Sequence, residues 1–157
     1  MPADASLDPG TAREIYQAVL DILSPAILAG DATTVLTHIP LPHLVRTMSG
    51  TIRIETEDEM VSTVEGMCAS LRGNGATDYI RIAKEAVFLD AEGTTIEGTH
   101  ESHILRNGVR LVPPYLNRLT LKAAGEIWQV ASTSEVVADT RWPILLPRAP
   151  EGDGSDL

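Results

Sequence analysis

At 157 residues the chain has the size of one domain, large enough to bury an ordinary core without disulfides or a structural metal. Hydrophobic residues make up 43% and aromatic residues only 4%, so the core is mostly aliphatic, and a formal charge of −10 repels phosphate backbones and anionic membrane surfaces. Nucleic-acid partners and membrane partners are disfavoured on that ground, and no apolar run approaches the ~20 residues needed to span a bilayer. The one cysteine, Cys68, has no partner for an internal disulfide, and the residues after Met1 carry neither a basic nor an apolar leader pattern. These features read as a cytoplasmic protein.

Residues 1–10 read as a flexible leader. Thr11-x-x-Glu14 has the spacing of a capping box, opening a helix with Ile15, Val19, Ile22 and Leu23 on one face. Pro25 is expected to kink or divide it. Gly30-Asp31 should stop that helix and cap a short second one through Thr37, followed by a proline-punctuated loop at 38–42 and a short strand at 44–48. Thr56-x-x-Glu59 is a second capping box, and Met60, Val61, Val64, Met67, Cys68 and Leu71 follow at helical spacing until Gly73-Asn74-Gly75. Cys68 falls on that apolar stripe and reads as a core residue.

From Thr77 onward the pattern is strand. Ala91-Glu92-Gly93 makes a first hairpin, and Asn107-Gly108, two residues that tolerate positive φ, joins a run at 94–106 to one at 109–122 through a type I′ turn. Ala124-Gly125 returns the chain into 127–137. Val112-Pro113-Pro114-Tyr115 interrupts one run and implies an edge or bulge, because proline cannot donate to a ladder. The fold class is α+β: a strongly curved antiparallel sheet of four long strands plus a short one, packed on three N-terminal helices. The domain spans 11–139, and a proline-rich acidic tail with Trp142 occupies 140–157.

Alternation puts Ile96, Gly98, His100, Ser102 and Ile104 on one face, with Glu97, Thr99, Glu101, His103 and Leu105 on the other. Tyr115, Asn117, Leu119 and Leu121 share the first face, as do Trp128, Val130, Ser132 and Ser134. Arg118 joins Glu101 and His103 outside, along with Leu116, Ile127, Ala131 and Thr133. His100 and His103 point apart, so they make no metal pair, and His38, His43 and His100 match no known ligand spacing. No metal and no cofactor is read. Alternation does not settle which of Asp78, Glu85 and Asp90 faces inward.

This succession of elements, with Gly30-Asp31 after the first helix and Gly125-x-x-Trp128 opening the last strand, resembles the nuclear transport factor 2-like superfamily, which includes SnoaL-like polyketide cyclases and ketosteroid isomerases. The resemblance covers roughly 11–137 and implies a cone: a curved sheet closing on helices around a pocket, with a homodimer through the outer sheet face. It implies a pocket bearing His100 as candidate base and Asn117 as candidate oxyanion donor, with Ser102, Ile104, Tyr115, Leu119, Trp128 and Val130 contacting ligand. Counted back from Ala124-Gly125, Asn117 falls where ketosteroid isomerases carry a protonated aspartic acid. Their oxyanion tyrosine falls on Leu23 and their base near Thr47, and Tyr16 lies two turns too far upstream. Steroid isomerisation of the known type is therefore not expected.

The function implied is binding of a small apolar ligand bearing a carbonyl or hydroxyl, with proton transfer next to the carbonyl as its catalytic form, in an isomerase or cyclase. The alternative is a non-catalytic dimeric interaction module of the same fold. It would hold a partner by the outer face or the Trp142 tail.

Overall fold

The computed structural model describes residues 7–47 and 50–134. The tail from 140, the end of the last strand at Val137 and most of the leader lie outside them. Helix α1 spans Pro9–Ala29, and Asp8 is its N-cap, accepting from the Thr11 N–H at 2.7 Å, with proline in the first turn. Thr11 is thus a donor inside the first turn, and no capping box forms with Glu14. The helix runs through Pro25 without dividing, because Leu23, Ser24, Ala26 and Ile27 around it are buried and hold the turn. Its buried face is Ala12, Tyr16, Val19, Leu20, Leu23 and Ile27 rather than one that includes Ile22, which is exposed.

Gly30 closes α1 in the left-handed region at φ 73°, and Asp31 caps α2, Ala32–His38. Two short strands follow where one was expected, β1 at His43–Arg46 and β2 at Thr51–Ile54, the second alternating between exposed Thr51 and Arg53 and the inward Ile52 and Ile54. Helix α3, Glu57–Gly73, opens on the complete Thr56/Glu59 capping box. Cys68 sits at its flank, half-buried rather than in the core, its thiol donating to the Leu28 carbonyl at 3.2 Å.

The remaining strands are β3 (Asp78–Phe88), β4 (Thr95–Arg106), β5 (Val109–Arg110), β6 (Tyr115–Ala124) and β7 (Ile127–Ser134). Asn107 and Gly108 both take positive φ, 50° and 84°, as a type I′ hairpin requires. The run expected over 109–122 is broken in two by Pro113-Pro114. The seven-stranded sheet has the order β2-β1-β7-β6-β4-β3, with β5 appended to β4. It is curved and open. All long pairings are antiparallel, but β1 lies parallel to β7, so the sheet is mixed rather than wholly antiparallel. No tight turn links these two strands, so nothing forces them antiparallel.

The sheet edge at β3 is covered from α1. Gln17 donates to the Arg81 carbonyl at 2.8 Å and accepts from the Ala83 N–H at 2.7 Å, standing in for a missing strand partner. The helices cover the inner face of the sheet, where aliphatic side chains form one core. Among the described residues no helix is long and apolar enough to cross a membrane.

Candidate functional site

On β4 the alternation is regular, and Ile96, Gly98, His100, Ser102 and Ile104 are all buried. Asn117, Leu119 and Leu121 of β6 lie beside them, with His100 directly opposite Asn117 and Ser102 opposite Tyr115. Tyr115 and Trp128 are half-buried, and Trp128 packs against Phe88 at 6.4 Å between ring centres. On β7 the expectation fails beyond Val130. The register against β6 shifts between Leu121, opposite Val130, and Thr120, opposite Ser132, leaving Ala131 as an extra residue. Thr133 therefore turns inward and Ser132 does not.

Two groups that alternation did not single out complete the interior. The first is Tyr16 of α1. Its hydroxyl lies 2.7 Å from His100 Nδ1 and 3.0 Å from the Gly98 carbonyl, and it accepts from the Leu119 N–H at 3.1 Å. Gly98 makes this approach possible: a Cβ there would stand 2.6 Å from the tyrosine ring and 2.7 Å from the Glu85 carbonyl. Only glycine leaves room for the ring. Burial, with the nearby positive charge of Arg81 adding to it, pushes His100 down from 6.5 to about 2, so its ring is neutral at any physiological pH.

The second is Arg81 of β3, 8% exposed. The β3 residues Tyr79 and Arg81 face inward while Ile80 and Ile82 face solvent. Arg81 Nε donates to the Ser24 hydroxyl at 2.7 Å, and the guanidinium lies 5.1 Å from the centre of the Tyr79 ring. Its Nη2 is fully buried without a hydrogen-bond partner, as is the hydroxyl of Ser102, directly opposite on β4. Asp78 and Glu85 are exposed, and Asp90 accepts from Thr94, so none of the three turns inward. No Asp or Glu among the described residues is buried.

Arg81 borders a cavity of about 50 Å³ between α1, α3 and the sheet. Its walls are aliphatic, with Leu23, Ile27, Val64, Met67, Leu119 and Val130, and its polar members are Arg81, His43, Thr63 and Thr133. His43 Nε2 lies 2.9 Å from the Thr133 hydroxyl, and burial lowers the histidine from 6.5 to about 4. Of the residues expected to contact ligand, Leu119 and Val130 line this cavity. His100, Ser102, Ile104, Asn117, Tyr115 and Trp128 do not. His38 is occupied with the Thr34 carbonyl at 3.0 Å, away from His43, and on the outer face His103 meets Glu101 at 2.9 Å.

No protein-family profile matches the sequence, and no curated protein matches it. Solved structures do match. A nuclear transport factor 2-like protein with a cystatin-like fold from Novosphingobium aromaticivorans is 16% identical, aligns over 82% of each chain and superposes with a TM-score of 0.58. A nuclear transport factor 2-like protein of unknown function from Shewanella oneidensis, 11% identical, covers 79% of this chain and 98% of its own at a TM-score of 0.58. A cystatin-like domain of unknown function from Nostoc punctiforme, also 11% identical, covers 85% and 83% at 0.58. The chain has the nuclear transport factor 2-like fold, three helices on a curved, unclosed sheet. At these identities the likeness concerns fold alone.

Proposed function

We propose that the protein binds a small, largely apolar molecule in the cavity between α1, α3 and the inner face of the sheet. The observation that carries this reading is the lining itself: aliphatic walls into which Arg81, His43 and Thr133 bring polar groups from three different strands. The catalytic form, proton transfer by His100 with Asn117 steadying an enolate, has weaker support. A histidine lowered to about 2 is a poor base, and no carboxylate faces the interior to replace it. Binding without turnover is the function best supported.

A thermal-shift screen of small carbonyl and hydroxyl compounds tests it, since a ligand that binds only the native state raises the apparent stability. The expected outcome is a compound that raises Tm of the wild type but not of a Val64→Phe variant, whose ring fills the cavity. A screen in which nothing of this size binds at millimolar concentration overturns the reading.

A second reading, a homodimer through the outer sheet face, rests on a separate observation. Ile80, Ile82, Val87, Leu116 and Ile127 are all exposed there. Sedimentation equilibrium should give a dimer that Ile82→Lys converts to monomer; a wild-type protein monomeric at millimolar concentration removes this reading.

A further inference from the structure

We infer that the molecule held in the cavity is a small monocarboxylic acid, its carboxylate bound by the guanidinium of Arg81. The inference rests on the ligand-pocket reading above and adds the chemical class of the ligand.

Its basis is an uncompensated charge. A buried arginine is ordinarily paired with a carboxylate, because a guanidinium removed from water without a counter-charge is costly. Arg81 is buried, and among the described residues no acidic side chain forms an ion pair with it. Asp21 and Asp78 border the cleft on its other side, but both are exposed. The protein's own groups meet the side chain only in part: Ser24 takes Nε and Tyr79 lies under the guanidinium, while Nη2 has no acceptor. Arginine carries five N–H donors and no acceptor, so what is missing is an acceptor, and a negatively charged one.

The surroundings narrow the class. The cavity that Arg81 borders is aliphatic and about 50 Å³, which suits a carboxylate on a short apolar body better than a phosphate, whose double charge calls for several cations. The two other basic side chains of the interior, His43 and His100, are neutral and contribute no further positive charge. One fixed cation matches one carboxylate.

The test compares matched pairs on the full chain by isothermal titration and thermal shift at neutral pH: acetate against acetamide, and propanoate against propanamide, bodies short enough for a cavity of about 50 Å³. Each pair shares its body and differs in charge. The expected result is that the acids bind about 10- to 100-fold more tightly than the amides, the ratio that charge-assisted hydrogen bonds supply. In Arg81→Met, which removes the charge and keeps the stem, that preference should vanish while unliganded Tm holds or rises, because no buried charge is left to solvate. Amides that bind the wild type as well as the acids overturn the carboxylate assignment and leave the pocket reading intact. Failure of all four compounds to bind overturns both. Should Arg81→Met not fold, the acid-to-amide ratio in the wild type decides by itself, and Arg81→Lys, keeping charge but not the planar fork, should retain only part of it.

Discussion

Strands β4 and β3 lie side by side, and each turns a basic side chain into the interior, but they hold it in opposite ways. His100 on β4 gives up its charge: burial keeps it neutral, and Tyr16 sits on Nδ1 while bridging to the Gly98 carbonyl and the Leu119 N–H. Arg81 on β3 cannot give up its charge, and it meets a hydroxyl and an aromatic face but, among the described residues, no counter-ion. The first arrangement is that of a structural post, which ties α1 to β4 and β6 through one hydroxyl. The second is that of a site left incomplete, and it borders the cavity where His100 does not. His100 Nε2 is also buried without a hydrogen-bond partner, but on a neutral ring; what sets Arg81 apart is the unmet charge.

If β4 is the structural side of this pair, damage there should register in stability. The largest effect is expected for Gly98→Ala, since both the Tyr16 ring and the Glu85 carbonyl must move to admit a Cβ. A loss of about 3 kcal/mol in urea unfolding is expected, at the upper end of overpacking costs. A cost below about 0.5 kcal/mol would mean the ring is not held as described. Next comes Tyr16→Phe, which leaves the Leu119 N–H and His100 Nδ1 without their partner and should cost about 2 kcal/mol by the same measurement. Ligand binding in the cavity should survive it, and its loss would merge the two sites into one.

The smallest effect, counted per histidine and per pH unit, is acid sensitivity. His43 and His100 take up a proton near 6.5 when unfolded but only near 4 and near 2 when folded. Below pH 6.5 the unfolded chain binds more protons than the native one, so stability falls with pH through this window, by about 1.4 kcal/mol per pH unit for each histidine. A pH series of unfolding curves should show the decline, and His43→Gln should flatten it by one histidine's share without changing its sign. A Tm constant from neutrality to pH 5 would place both rings in contact with solvent.

Much of the architecture was legible because local chemistry encodes it. The Thr56/Glu59 capping box, the Asp31 cap and the Asn107-Gly108 turn each satisfy their own backbone groups within a few residues. The faces of β4 and β6 followed from alternation for the same reason, since the pleat repeats every two residues. Elsewhere local signals misled. Thr11-x-x-Glu14 has the spacing of a capping box, but the helix starts a turn earlier, capped by Asp8 with Pro9 at its first position. The bulge at Ala131 shifts the phase of β7 by one residue, exchanging Ser132 for Thr133.

What the sequence by itself determined is the three helices and the four long strands in their order, and the inner placement of His100, Ser102 and Asn117. What only the tertiary structure decided is which buried polar groups are satisfied. Tyr16 reaches His100 across 84 residues, and Arg81 lies inward while its apolar neighbours Ile80 and Ile82 face out, on a strand whose inner face alternation left open. Periodicity reports which residues share a face; which face meets the core, and which donor there finds an acceptor, depends on side chains brought together from distant parts of the chain.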